Sequence, residues 1–391
     1  MSPTKLEQFQ QALDERARQH LLRKPVCIEQ YRGRLISIAG VQYLNFSSND
    51  YLGLATEPLV LQAFADAALS YGAGSSGSPM LTGYHSVHQQ LCDTLCDWLG
   101  LEQVLLFSSG FAANQAMLHT LAGKQDLLLL DKLSHASLID GALQSGADFK
   151  RFAHNDLSAV AKLLQTFPKG DARSNSPMVV TEGVFSMDGD SPDLLALIKL
   201  CREYDAPLLL DDAHGIGVSG AEGKGSLVGQ GLRNSEAFSL MANFGKALGV
   251  GGAFVGGSKT VIDYLQQFGR HYVYSTALSP ALCVAVTKSI ELCRRDNWRR
   301  DKLQQNIALF RQLADGLPLL ASDSAIQAVI VGCSEKALQL SQLLKQQQIW
   351  LSAIRSPTVP AGSARLRITL SAQHEEQDIQ RLVQQLRLNL Q

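Results

Sequence analysis

The sequence predicts an α/β protein whose larger domain is a mostly parallel, helix-covered sheet, and three observations carry that reading. From about residue 100 onward, short apolar runs ending in small or acidic residues alternate with amphipathic stretches of helical length. The runs show no polar alternation, as expected of strands buried on both faces. The chain of 391 residues, 46% hydrophobic and 18% charged, is long and apolar enough for a large core and two domains.

Taken in order, residues 1–44 give a helix and then strand-like pieces, "VCIEQY" and "LISIAGVQYLNF", broken by Gly33 and Gly40. Strands follow at 104–107 (VLLF), 127–130 (LLLL), 178–183 (MVVTEG), 207–212 (PLLLDD), 238–244 (FSLMANF) and 252–257 (GAFVGG). Helices are expected between them at "FAANQAMLHTLAG", "HASLIDGALQSG", "DLSAVAKLLQTF" and "PDLLALIKLCREY". Beyond Pro280 the pattern gives two long helices over 281–316, the strand "AIQAVIVG", the helix "EKALQLSQLLKQQ", the strands "WLSAI" and "ARLRITL", and a helix near 375–388. We therefore expect a large domain over 45–279 and a smaller α+β domain over 280–391, with residues 1–44 packed beside the latter.

Composition excludes several classes of function. The formal charge is 35 − 36 = −1 and no basic tract occurs, so nucleic acid is not an expected partner. The amino terminus has no apolar segment of signal-peptide length, and the one long uncharged stretch is too rich in glycine and polar residues to span a bilayer, so neither export nor a membrane is expected and the reading is cytoplasmic. The seven cysteines (27, 92, 96, 201, 283, 293 and 333) lack the spacing of a disulfide framework or a zinc site, and Cys92 and Cys96 are spaced for one helix face. Reduced core residues are expected.

The candidate chemistry gathers at strand ends. Lys246 in "MANFGKALGVGG" is the one charged residue between Ala237 and Ser258. An isolated buried ammonium is costly, so this lysine must be exposed, paired, depressed in pKa or covalently changed. "LLLDDAHGIG" sets Asp211, Asp212 and His214 where open α/β sheets bind ligands. Two adjacent carboxylates need a cation, a metal, or one of them turned away; no third metal ligand is evident beside Asp211 and His214. "FSSGFAANQA" starts a helix after a strand, so the amides of Gly110 and Phe111 can meet a phosphate, although an ordinary serine N-cap is the plainer reading of that stretch alone. His135 in "DKLSHASLID" suits a cap, a core position or a ring stacked on a flat ligand, and "VVTEGVFSMDGDSPDL" adds Glu182, Ser186 and Asp188. "GIGVSG" imitates a dinucleotide fingerprint but neither follows its strand directly nor opens an amphipathic helix, and "GAEGKGS" fails the Walker spacing. One cofactor uses all the parts: pyridoxal phosphate offers an aldehyde to Lys246, a ring nitrogen to Asp211, a phosphate to Gly110 and a flat ring to His135.

With those residues in place the chain resembles the α-oxoamine synthases, pyridoxal-phosphate enzymes of the aspartate-aminotransferase fold. The resemblance spans about residues 10–388 and rests on "NFSSNDYLGLA", "LLFSSGFAANQA", "DKLSHASLIDGA", "VVTEGVFSMDGD", "LLLDDAHGIGV", "NFGKALGVGGAFV", "YVYSTALSP" and "AIRSPTVPAGSARLRITLSAQH". It implies Lys246 as Schiff-base lysine and acid/base, Asp211 on the ring nitrogen, His214 and Ser186 at the ring hydroxyl, His135 stacked on the ring, and Gly110 and Phe111 on the phosphate. It further implies Ser275 or Thr276 reaching the phosphate of the other subunit of a homodimer, and Arg367 holding the amino-acid carboxylate. Asn49 and Thr358 join as substrate contacts. Asn243 stands where the family usually has Thr, replacing a hydroxyl by an amide at the phosphate, and Pro79 interrupts a glycine-rich segment. The motifs are most similar to the branch that condenses L-alanine with a pimeloyl thioester carried by CoA or a carrier protein. Arg23 and Arg355 would then receive the acyl carboxylate, with a surface arginine the plain alternative for Arg23. The rival expectations are another acyl-CoA condensation in the same family and an aminotransferase or lyase on the same fold.

Overall fold

The computed structural model describes residues 3–166 and 176–390. The chain opens with α1 (Lys5–Arg18), which Thr4 and Glu7 cap reciprocally. The strands β1 (Gln30–Arg32), β2 (Leu35–Ile38) and β3 (Val41–Asn45) form an antiparallel meander, reversing at Gly33 (φ +61°) and Gly40 (φ +73°). Only the end of "VCIEQY" joins a strand; Val26 and Ile28 are exposed.

The central run is α2 (Pro58–Tyr71), α3 (Ser86–Leu99), β4 (Gln103–Phe107), α4 (Gly110–Leu121), β5 (Asp126–Asp131), α5 (Ala136–Ser145), β6 (Asp148–Phe152) and α6 (Leu157–Leu164). It continues through β7 (Ser176–Glu182), α7 (Leu194–Glu203), β8 (Leu208–Asp211), α8 (Ser226–Gly229), β9 (Ser239–Asn243), β10 (Ala253–Gly257), α9 (Lys259–Phe268) and α10 (Arg270–Val273). Phe167, the last residue of the expected helix "DLSAVAKLLQTF", lies outside the described residues. The chain ends with α11 (Pro280–Arg295), α12 (Asn297–Leu313), β11 (Ile326–Gly332), α13 (Ser334–Gln346), β12 (Ile349–Trp350), β13 (Ser352–Ile354), β14 (Ala364–Thr369) and α14 (Glu376–Asn389).

Two compact units result: residues 49–186 with 190–302, and residues 1–48 with 187–189 and 303–391. The larger holds a seven-stranded sheet in the order β4-β10-β9-β8-β7-β5-β6. Every neighbouring pair is parallel except those of β10, which runs antiparallel to both β4 and β9. Leu105, Leu128, Val180, Leu209, Met241 and Val255 build its core with Met117 and Leu138 of the covering helices. The strand β6 was not expected; its residues "DFKRF" are mostly exposed, as an edge strand allows. The helix α11, expected in the smaller domain, belongs to the larger unit, where it buries Cys283, Val286 and Ile290 while packing on α2 and α3.

In the smaller unit β12 adds parallel to β3, so the amino-terminal meander and the carboxyl-terminal segment share a sheet ordered β1-β2-β3-β12. A second sheet, β11-β14-β13, is antiparallel. Cys92, Cys201, Cys283 and Cys293 are buried as expected, but Cys27 and Cys333 are exposed, because each lies outside any buried apolar face. No helix among the described residues is long and apolar enough to cross a membrane.

Candidate active site

Lys246 rides on the connection between β9 and β10. Phe244 donates its amide to Gly252 O (2.9 Å), Val250 to Phe244 O (2.8 Å) and Gly249 to Lys246 O (2.9 Å), which folds the connection tightly. Gly249 has φ +66°, and a Cβ there would lie 2.2 Å from the Ala55 nitrogen, so this turn needs glycine. Lys246 is half-buried and paired: its Nζ lies 2.9 Å from His214 Nε2. His214 Nδ1 is 2.6 Å from the Tyr51 hydroxyl, which lies 3.3 Å from Asn49 Oδ1. An ammonium donating to Nε2, Nδ1–H donating to Tyr51 and the phenol donating to Asn49 is one self-consistent direction for the chain.

The adjacent aspartates separate as buried like charges must. Asp212 turns away from the site; its carboxylate accepts from Ser226 N (2.8 Å) and Ser226 Oγ (2.5 Å). Glycines at 183, 215 and 225 make room for it, and a Cβ on Gly183 or Gly215 would fall 2.1 Å from Asp212 Oδ1. Burial pushes the Asp212 carboxyl up to about 7, against the pull of the Ser226 hydrogen bonds. Asp211 faces the other way, accepting from Asn114 Nδ2 (2.6 Å) and Ala213 N (2.9 Å).

His135 N-caps α5 through Ser137 N, 3.2 Å from its Nδ1, and Ser137 Oγ lies 2.7 Å from the same nitrogen. Because Asn114 Nδ2 donates to that hydroxyl (2.9 Å), Ser137 donates onward to Nδ1, leaving the proton of a neutral ring on Nε2. Burial, aided by Lys246, pushes the His135 pKa down, with Asp211 opposing. The His135 amide donates to Glu182 Oε1 at 2.6 Å. Burial beside Asp211 raises the Glu182 carboxyl well above its ordinary range, against that amide and Lys246.

The fourth part is the start of α4. Ser109 is an N-cap, as the plainer reading had it, accepting from Ala112 N at 3.2 Å. The Gly110 and Phe111 amides stand ahead of that bond at the positive helix terminus. Asn243, at the end of β9, accepts from Gly245 N (3.1 Å) through Oδ1, which commits Nδ2 to the opposite side. That side is Gly110: a Cβ built there would lie 3.4 Å from Asn243 Nδ2. Backbone amides, a side-chain amide and a glycine cradle form an anion-sized donor set next to an amine, a carboxylate and a neutral imidazole, so these residues fit pyridoxal phosphate. No group of three or more metal-ligating side chains occurs among the described residues.

The other expected residues stand on other segments. Ser186 is half-buried in the loop after β7. Ser275 is half-buried and Thr276 exposed on a loop whose next residue, Ala277, donates to Gly77 O (2.9 Å). Within the smaller unit, Arg23 Nη2 donates to Thr358 Oγ1 at 2.7 Å, and Arg355 donates to His20 O. Burial and the neighbouring Arg23 push the Arg355 guanidinium down. Arg367 is buried on β14 and donates to Thr369 Oγ1 at 3.2 Å. Asn114, Ser137 and Tyr51 were not anticipated as site residues. An asparagine on the inward face of α4, four residues beyond Gly110, is the one signal that was available.

An amine, a carboxylate and an anion-binding helix terminus at the strand ends of one sheet are the handles of a single cofactor, and with this fold they define a pyridoxal-phosphate enzyme of fold type I. A family model described as aminotransferase class I and II matches residues 41–386. An 8-amino-7-oxononanoate synthase of Aeromonas hydrophila subsp. hydrophila is 49% identical over 96% of this chain and 93% of its own. The Vibrio vulnificus protein of that name is 46% identical over 97% of each chain. Among solved structures, a serine palmitoyltransferase from S. paucimobilis with a bound PLP-myriocin aldimine covers 99% of this chain and 98% of its own at TM-score 0.93 and 28% identity. An 8-amino-7-oxononanoate synthase from Francisella tularensis covers 89% of this chain and 97% of its own at TM-score 0.76 and 31% identity. The chain belongs to the class I and II aminotransferase family and, within it, to the branch of these 8-amino-7-oxononanoate synthases.

Proposed function

We infer that the protein condenses L-alanine with a pimeloyl thioester, releasing CO2 and the thiol and forming 8-amino-7-oxononanoate, a step of biotin biosynthesis. The observation that carries this reading is the near full-length identity of 46% to 49% with enzymes of that name. A cytoplasmic location goes with it. Pyridoxal phosphate, when bound, contributes an aldehyde that takes up the amino acid and a ring that draws electrons from its α-carbon. The chain supplies the rest. Asp211, fixed by Asn114 and Ala213, keeps a ring nitrogen protonated. Neutral His135 offers an apolar face without a competing charge. Lys246, poised against His214, takes and returns the α-proton. Arg367 is assigned the carboxylate of alanine, a task suited to a planar guanidinium, and Arg23, Thr358 and Arg355 the far carboxylate of the acyl chain.

The test mixes the holoenzyme with alanine and pimeloyl-CoA and follows free thiol. Release that depends on alanine and disappears in Lys246→Ala is expected; undiminished release in that variant refutes the assignment. A second reading, condensation of another amino acid with another acyl thioester, is favoured by the serine palmitoyltransferase neighbours at TM-score 0.93. A panel of glycine, alanine and serine against short, dicarboxylic and long acyl thioesters separates the two, and keto-acid formation without thiol release would mark an aminotransferase.

We also propose a homodimer. Leu6, Phe9 and Leu13 line one face of α1 in which no residue is buried, and Leu81 and Tyr274 are 81% and 74% exposed. Tyr274 directly precedes Ser275 and Thr276, the pair assigned to a second copy's phosphate. Light scattering at micromolar concentration is expected to give twice the chain mass of 42.4 kDa.

A further inference from the structure

His154 has no part in the chemistry above, yet it occupies an unusual position. Its Nδ1 lies 2.9 Å from Asp131 Oδ1 and its Nε2 2.8 Å from Asp190 Oδ2. Both ring nitrogens therefore face carboxylate oxygens, and only a doubly protonated ring can donate to both. The groups packed on it are Asp131 at the end of β5, Asp190 in the loop after β7, its neighbour Asn155, and the Phe185 ring, edge-on at 4.4 Å. Burial opposes a charge there, but the two hydrogen-bonded carboxylates hold the ring up to about 10.

Each carboxylate organises a functional loop. The fully buried Asp131 accepts also from Leu133 N (2.8 Å) and Asn155 N (2.9 Å), and its carbonyl from Ser134 N (3.1 Å). It thereby shapes the three-residue turn that delivers His135. Asp190 accepts from Asn155 Nδ2 (2.8 Å), and its carbonyl accepts from Phe185 N (2.9 Å), closing the loop that contains Ser186.

We propose that His154 is a positioning residue: as an imidazolium clamped between Asp131 and Asp190, it ties the loop that presents His135 to the loop that carries Ser186, and so sets the spacing of two groups assigned to the cofactor ring. The proposal rests on the cofactor reading given above. It accounts for a charged side chain just beyond the edge strand β6, between two carboxylates. A neutral residue leaves one of the two carboxylates without the hydrogen bond the imidazolium gives it, and the two loops without this shared charged anchor.

The test uses the holoenzyme and the variants His154→Gln, Asp190→Asn and their double. In spectra of protein labelled with 15N-histidine, one ring is expected to be doubly protonated at pH 8 and to vanish in His154→Gln; a neutral His154 at pH 8 overturns the proposal. The dissociation constant for pyridoxal phosphate is expected to rise about tenfold in each single variant, as when other outer-shell partners are removed, with altered circular dichroism of the bound cofactor. The double variant is expected to add no more than about twofold, because both changes break one clamp. Should both single variants melt at lower temperature yet keep the wild-type dissociation constant and dichroism, His154 is merely structural and the proposal fails. The underlying reading is tested apart from it: if the wild-type protein does not bind pyridoxal phosphate, or Lys246→Ala keeps the unaltered absorption band, the cofactor assignment fails whatever the clamp does.

Discussion

Acid should destabilise the smaller unit through one histidine. His374 is 1% exposed; its Nε2 donates to Asn45 O (3.0 Å), its Nδ1 accepts from Ser371 N (3.0 Å), and it stacks on Phe46 at 4.3 Å. Both nitrogens are thus committed to the neutral form, and burial lowers the pKa from 6.5 to about 4, with Arg34 adding to the effect. Because the folded value is depressed, the stabilisation is complete above about 6.5 and is lost as pH falls toward 4. At about 1.36 kcal/mol per unit, the loss from this residue is about 1.4 kcal/mol at pH 5.5 and about 2.6 kcal/mol at pH 4.5. The assay is urea unfolding of wild type and His374→Gln at pH 7.5, 5.5 and 4.5. Glutamine costs stability at pH 7.5 but carries no proton to gain, so the difference between the two proteins should narrow by those amounts as pH falls. Curves that shift in parallel, with the difference unchanged between pH 7.5 and 4.5, would refute the reasoning.

Three further outcomes follow from the larger unit. Gly183→Ala should destabilise by about 2–4 kcal/mol, because its Cβ would fall 2.1 Å from Asp212 Oδ1 and 2.6 Å from Ser226 Oγ, breaking a buried pair; thermal unfolding reads this. Asn114→Ala removes a 2.6 Å donor from the Asp211 carboxylate, an interaction worth about 1.5–3 kcal/mol, and should weaken cofactor binding about tenfold or more, measured by absorbance titration. Asn243→Leu keeps bulk but removes the amide beside Gly110, so it should raise the dissociation constants for both pyridoxal phosphate and inorganic phosphate, whereas Asn243→Thr should raise them less.

Much of the fold and the site could be read from residue order, because a strand buried on both faces has to be an unbroken apolar run and a ligand-binding crevice has to sit at strand ends. Lys246, Asp211, His214, His135 and Gly110 each stand at or just beyond the end of a strand. What escaped is what depends on distant partners. An apolar run reads the same in either direction, so the reversal of β10 was invisible. The strand β6 is an edge whose charged residues face water. Pro280 looked like a boundary, but the apolar face of α11 decides its allegiance by packing on α2 and α3. That Asp212 rather than Asp211 turns away could not be known without Ser226 and the glycines at 183, 215 and 225, which meet only in the folded chain.

The reversal of β10 has a consequence for how this scaffold can be altered. Crossover connections between parallel strands pass over a helix and can absorb an extra residue at a loop tip. Lys246 instead sits on the one connection among the described residues of the seven-stranded sheet that joins two adjacent antiparallel strands, pinned by Asn243 opposite Ala253 at its base. A single insertion or deletion between those two residues must either break the hydrogen bonds that fold this turn around Lys246 or slip the pairing and exchange the two faces of β10. Length variation, in natural relatives or designed libraries, should therefore be tolerated on the helical crossovers and rejected between 243 and 253, whatever residues fill that span.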